Sequence, residues 1–331
     1  MGYRTWVVET QGGPFIEHQM PCAAPKPGEV LVRIAASGVN PLDTKIRAGK
    51  AEHARQPLPA VLGLDLAGTV EEVGAGVSRF KAGDQVYGMA GGVAGLQGTL
   101  AEFVAADARL LAHKPMNLSM QEAAALPLSA ITAWEGLVDR AGVHAGQKVL
   151  IHAGAGGVGH LAVQVARAFG AEVFATVSTS KSRIVEGYGA TPIDYRASTV
   201  EEYVRAHTGG VGFDIVYDTV GGATLDSSFA AVKRYSGHAL SCLGWGLHAL
   251  APLSFRGATY SGVFTLLPLL TGEGREHHGQ ILTQAAELAQ AGKLRPLLSE
   301  RRFSTAEIAE AHAVVEAGST GKVVVEIAVA G

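Results

Sequence analysis

Glycines at positions 154, 156 and 159 follow directly on an apolar run at 149–151. With Ala155, Gly157 and Val158 filling the motif, they read G-x-G-x-x-G at the mouth of a helix. Such a turn is built for an anion. The first glycine permits a tight turn, the second lets backbone approach a pyrophosphate, and the third lets the helix pack close to the strand. The N–H groups of the helix start point at the same place. In a chain with 43 glycines the spacing alone decides little, so the flanking elements carry the reading. Leu161, Ala162, Val165, Ala166 and Phe169 share one helical face, Gly170 stands where a C-terminal cap belongs, and 171–177 reads as the next strand. That is a βαβ unit around a dinucleotide turn.

Past that second strand come Ser178, Thr179, Ser180, Lys181 and Arg183, with no acid among them. An enzyme that selects NAD keeps an Asp or Glu there for the ribose 2′-OH. Hydroxyls and cations suit a 2′-phosphate instead. The competing reading is a solvated first helix turn, but a cation at a helix N-terminus is unfavourable without an anion beside it. NADP(H) is the expected cofactor.

These elements need a large frame. At 331 residues, 47% of them hydrophobic, roughly two domains are expected. A net charge of −3 offers nothing to nucleic acid or an anionic membrane. Cys22 and Cys242 make neither a disulfide framework nor a four-thiolate site. Positions 1–10 lack the pattern of a signal peptide, and no apolar run reaches the length of a membrane span, so a cytoplasmic protein is expected.

Up to about residue 110 short strand patterns alternate with turns, as in a small barrel or sandwich. From Ser119, which with Glu122 forms a capping box, helices and strands alternate as in a parallel doubly wound sheet. A helix at 119–126 is expected to stop at Pro127, with a second at 129–140. Helix 276–291, a capped helix after Ser304 and a strand at 322–327 return to the first kind of structure. The expected plan is an α/β chain with a cofactor domain, 123–264, inserted into a discontinuous domain of 1–122 and 265–331.

Several stretches in order resemble one family. They are 38–47 (GVNPLDTKIR), 63–68 (GLDLAG), 83–86 (GDQV), 153–159, 212–216 (GFDIV) and 318–322 (GSTGK). The chain resembles the zinc-independent medium-chain dehydrogenase/reductases, specifically the quinone oxidoreductase or zeta-crystallin group. The resemblance implies a GroES-like β-barrel domain, a Rossmann domain, an active site in the cleft between them, NADPH and a homodimer. It places Lys181 and Tyr195 at the 2′-phosphate, Asn40 in the substrate site and Thr132 near the nicotinamide. It implies further cofactor contacts at Leu243, Gly244, Val263, Phe264 and Lys322.

Zinc-dependent relatives carry a thiolate before the Asp43 region, a His-Glu pair in the Gly63 motif and a third ligand before the Rossmann domain. Here those places hold Asn40 and Leu42, then Leu64 and Asp65, with neither Cys nor His at 128–132. A leucine cannot ligate, so no catalytic zinc is expected. His152 and His160 read as packing or hydrogen-bonding residues, and His277-His278 as solvated. Without a Lewis acid, alcohol oxidation is disfavoured and an acceptor that takes hydride readily is favoured. Asn40 would donate to the developing oxyanion. Asp43 is either part of the site or a local cap. Lys45, where a tyrosine is common, either meets an acidic substrate or product enolate, or faces solvent. The leading reading is an NADPH-dependent quinone reductase. The alternatives are an enoyl or enal carbon–carbon double-bond reductase and a non-enzymatic NADP-binding sensor.

Overall fold

In the computed structural model, residues 2–327 are described; the expected domain bounds at 1 and 331 lie outside them. The chain divides into two compact units, 1–128 with 266–331, and 129–265. The expected boundaries were 122/123 and 264/265.

The first unit begins with β1 (Gly2–Val8), β2 (Phe15–Pro21) and the long β3 (Glu29–Val39). α1 (Pro41–Arg47) follows, then β4 (Ala60–Val61), β5 (Asp65–Val73), β6 (Gln85–Met89), β7 (Phe103–Asp107), β8 (Leu111–His113) and α2 (Met120–Ala124). β3 organises this unit because Val30, Val32, Ile34 and Ala36 are fully buried on its inner face. It pairs antiparallel with β5 and β7. A separate small sheet runs β2-β1-β4. β2 escaped the sequence reading because most of its residues are exposed and no alternation marks it.

α2 ends before Pro127, as expected from sequence, and Pro127 itself starts α3 (Pro127–Trp134), two residues ahead of the start expected at 129. Proline is tolerated in a first turn, where its missing N–H would have no partner anyway. A π-helical stretch, Glu135–Arg140, extends it. The second unit then alternates β9 (Lys148–Ile151), α4 (Gly159–Ala168), β10 (Glu172–Val177), α5 (Ser182–Glu186), β11 (Thr191–Asp194), α6 (Val200–Thr208), β12 (Ile215–Asp218), α7 (Ala223–Ala231), β13 (His238–Ser241), α8 (Ala251–Ser254) and β14 (Thr259–Gly262). The cap of α6 is Thr199 with Glu202. All six strands are parallel in the order β11-β10-β9-β12-β13-β14. This is the doubly wound order of dinucleotide-binding sheets, with the reversal of strand order beside β9. Its core runs from Leu150, Phe174 and Ile193 through Phe213 and Val216 to Phe229 and Ala239.

The chain returns to the first unit with α9 (Leu267–Thr271), α10 (Arg275–Gln290), β15 (Phe303–Ser304), α11 (Ile308–Glu316) and β16 (Val323–Glu326), which pairs with β3. His277 and His278 belong to α10 rather than to a solvated loop, and His278 is buried.

Candidate active site

In the second unit a cavity of about 730 Å³ opens at the C-terminal ends of the central strands. That volume suits a cofactor or drug-sized ligand. Its walls come from four places in sequence. Ala153, Ala155 and Gly156 follow β9; Val177, Ser178 and Lys181 close β10; Tyr195 and Thr199 follow β11; Val220 and Thr224 follow β12.

The three glycines of the turn have distinct reasons. A Cβ on Gly154 would lie 2.5 Å from the Ala175 Cβ. One on Gly159 would lie 2.1 Å from the Ala153 carbonyl oxygen, so α4 could not start where it does. One on Gly156 would come no nearer than 3.1 Å to any protein atom. That contact with the Ala153 carbonyl oxygen is close but milder than the other two, and Gly156 lines the cavity, where a bare backbone admits a ligand. Gly157 is exposed at the tip of the turn. α4 starts immediately behind, and helix geometry leaves the N–H groups of its first turn without intrahelical acceptors.

His152 and Thr176, at the heads of neighbouring strands, brace this turn. Thr176 Oγ1 lies 3.1 Å from His152 Nδ1 and accepts the Ala153 N–H, also at 3.1 Å. Ala153 is thereby held at φ 52°, a left-handed conformation a non-glycine residue seldom adopts. Burial lowers the His152 pKa to about 4 against the pull of Asp218, so the ring is neutral. His160 Nδ1 pairs with the Gly156 carbonyl oxygen at 2.8 Å.

At the far side, Ser178, Lys181 and Tyr195 line one wall. Arg196, which the sequence reading passed over, donates to the Tyr195 hydroxyl at 3.3 Å, with its guanidinium carbon 5.5 Å from the ring centroid. Thr179 differs from expectation. Its hydroxyl donates to Asp194, so its proton is spent inside the protein.

Asp218, at the end of β12, was also unforeseen. It accepts the N–H groups of Val220 and Gly221 at 3.0 Å and the Ser241 hydroxyl at 2.7 Å. Ser241 in turn accepts the Leu243 N–H at 3.0 Å. One buried carboxylate thus shapes the loops after β12 and β13, the second holding Leu243 and Gly244. The signal was an Asp three residues before a Gly-Gly turn, a common local acceptor. Thr132 is buried, with its Oγ1 2.9 Å from Thr265 Oγ1 and its carbonyl accepting the Tyr217 hydroxyl at 2.7 Å. Val263 is buried; Phe264 packs edge-on against Trp245, centroids 6.4 Å apart.

The first unit gathers Asn40, Asp43, Asp65 and Lys322 into a buried quartet. Asn40 Nδ2 donates to Asp65 at 2.9 Å, and Asn40 Oδ1 accepts from the Lys322 ammonium. The Asn40 backbone N–H donates to Asp43 at 2.8 Å, and the Leu128 N–H to Asp65 at 3.0 Å. Asp43 therefore does cap its helix locally, as one of its two readings held. Burial, with repulsion from Asp65 adding to it, raises the Asp43 pKa to about 7; burial raises Asp65 to about 6. Burial also lowers Lys322 against the attraction of both carboxylates. Lys322 is buried beside two carboxylates, and Asn40 has both ends of its amide engaged within the protein. Lys45, on α1, is exposed, and with burial it lowers the pKa of His53.

Asn40 and Asp65 of the quartet stand at the positions where the resemblance implies that zinc-dependent relatives hold ligands. The quartet does not suit a metal: the Asn40 oxygen already serves an ammonium, Leu64 has no donor, and a dication would stand against Lys322. Among the described residues no three His, Cys, Asp or Glu side chains come together as a metal-holding group.

Residues 26–116 match the alcohol dehydrogenase GroES-like domain, and 188–325 match the family described as zinc-binding dehydrogenase. The chain is 37% identical to the 2-methylene-furan-3-one reductase of Solanum lycopersicum, over 91% of this chain and 72% of that one. It is 34% identical to the chloroplastic NADPH-dependent alkenal/one oxidoreductase of Arabidopsis thaliana, over 97% and 79%. An alcohol dehydrogenase superfamily protein from Novosphingobium aromaticivorans superposes with a TM-score of 0.96 at 56% identity, covering 98% of this chain and all of that one. No helix among the described residues is long and apolar enough to cross a membrane.

Proposed function

Since the chain belongs to the medium-chain dehydrogenase/reductase family and binds NADP(H), we propose that it reduces a conjugated carbonyl acceptor, saturating the carbon–carbon double bond of an enone or enal. Two relatives bear names of that chemistry, which moves this reading ahead of the quinone reduction favoured by sequence motifs alone. The observation that carries the proposal is the quartet. With Asn40, Leu64 and Lys322 where a Lewis acid would be held, nothing on the protein ionises an alcohol, so the acceptor must accept hydride without that help.

NADPH supplies hydride from C4 of its nicotinamide. In our reading the turn 154–159 holds the pyrophosphate, while Ser178, Lys181 and Tyr195 hold the 2′-phosphate with Arg196 steadying the tyrosine. Thr132, Leu243, Gly244, Val263 and Phe264 serve the nicotinamide half. Asn40 acts as a positioning residue within the quartet, and Lys45 faces solvent, so the enolate formed on hydride addition takes its proton from water. We also propose that a second copy is the partner: β14 is an edge strand, and Trp245, Leu247 and Phe255 are exposed beside it.

The test is NADPH oxidation with a panel of enones, enals and quinones, followed by product analysis. Saturated ketone or aldehyde is the expected product. Hydroquinone formed with much greater kcat/KM would favour the quinone reading, and no NADPH oxidation with any acceptor would favour a sensor.

A further inference from the structure

The turn that sequence read as free of acids has one supplied from the side. In the parallel pairing of β10 with β11, Asp194 stands in register with Val177, the last residue of β10. Its Oδ2 accepts the Thr179 hydroxyl, and its Oδ1 accepts the Arg196 N–H at 2.9 Å. Asp194 thus sits between the turn that carries Ser178 and Lys181 and the residues Tyr195 and Arg196. From this geometry we infer that Asp194 is a specificity-determining residue, a fixed negative charge beside the 2′-phosphate subsite that narrows the preference for NADPH over NADH.

Three observations carry the inference. The carboxyl is ionised, held below the usual carboxylate range by the Thr179 hydroxyl first and the Arg196 amide second. Both bonds fix it to the turn, so it cannot swing away when a phosphate arrives. The bond to Thr179 also takes that hydroxyl's proton, leaving an oxygen that can only accept, and a phosphate offers acceptors. Lys181 and Arg196 then have to balance Asp194 as well as the ligand. An NAD-selective site would use such an acid to take the ribose 2′-OH. Asp194 is instead engaged with Thr179 and Arg196 and does not line the cavity, so its action on the cofactor is through charge.

The inference rests on the placement of the 2′-phosphate proposed above. The experiment is direct titration of NADPH, NADH and 2′,5′-ADP into wild type, Asp194→Asn, Thr179→Ala and Lys181→Ala, at low and high salt. Asparagine keeps an acceptor and removes the charge. Asp194→Asn should bind NADPH and 2′,5′-ADP roughly threefold to tenfold more tightly at low ionic strength, the size of one exposed, screened charge interaction with a doubly charged group. NADH should be unchanged, and the gain should shrink with salt. Thr179→Ala should leave the NADPH to NADH ratio within about twofold, because only a lost charge-assisted bond would move it further. NADPH unchanged or weakened in Asp194→Asn overturns the inference. NADH weakened in that variant overturns it too, and makes Asp194 a ribose ligand. If wild type binds 2′,5′-ADP yet Lys181→Ala weakens NADPH and NADH alike, the subsite itself is misplaced and the inference falls with it.

Discussion

Two regions of the molecule use the same polar vocabulary to opposite ends. The quartet of the first unit turns an amide, two carboxylates and an ammonium inward upon one another. The cavity of the second unit brings a serine, a lysine, a tyrosine and a bare glycine turn to one surface. The difference lies in where the backbone sends the chain next. Asn40 and Asp43 sit at the head of a short helix behind a central strand, and both are buried. Ser178, Tyr195 and Val220 sit just past the ends of parallel strands, where loops must diverge and leave a hollow.

The largest way to break the contrast is to remove the ammonium. Lys322→Ala leaves two buried carboxyls without their cation and should cost about 3–5 kcal/mol of stability at pH 8. At pH 5, where Asp43 and Asp65 are protonated in the fold, the loss should be much smaller. Denaturant unfolding at the two pH values checks this; a loss of under 1 kcal/mol at pH 8 would place the ammonium outside the network.

A middle-sized effect separates two glycines of one turn. Gly159→Ala drives a methyl into the Ala153 carbonyl and should cost about 1–3 kcal/mol of stability along with NADPH affinity. Gly156→Ala should leave stability nearly unchanged and weaken NADPH only. Thermal melts with and without NADPH distinguish the two, and equal destabilisation of both apo variants would refute the ligand-based reason for Gly156.

A further effect concerns a single proton. Because the folded pKa of Asp43 is raised to about 7, the native state holds a proton that the unfolded chain releases near pH 4. Stability from this site is therefore present at low pH and declines as pH rises from about 4 to about 7. Asp43→Asn removes the dependence. Its melting curve should match wild type at pH 4 and lie higher at pH 8, by up to about 4 kcal/mol for a pKa raised by about three units. A variant less stable than wild type at pH 8 would show that Asp43 is ionised and welcome there.

What the sequence made legible follows the same contrast. The glycine spacing, the amphipathic α4 and the strand–helix alternation are local patterns, each readable within a dozen residues, and they located the dinucleotide turn. Asp194 and Asp218 each act through a partner on a neighbouring strand or loop, Thr179 and Ser241, which parallel pairing places 15 and 23 residues away in the chain. Lys322 lies 282 residues from Asn40. No spacing rule reaches across such gaps, so a residue's type was legible while its being already engaged was not. Lys322 and Thr179 are two such cases, each bonded to a partner the sequence did not place beside it.

The hydroxyls of Thr132 and Thr265 meet at 2.9 Å, four residues into the second unit and at its last residue. The unit therefore begins and ends at nearly one point, like a loop drawn closed by its own string. To the sequence that hosts it, 137 added residues amount to a gap of a few ångströms, so the entropy of joining the host's two halves is close to that of a short connection. A cassette closed in this way can be exchanged, shortened or fused head to tail without asking the host to move its own ends.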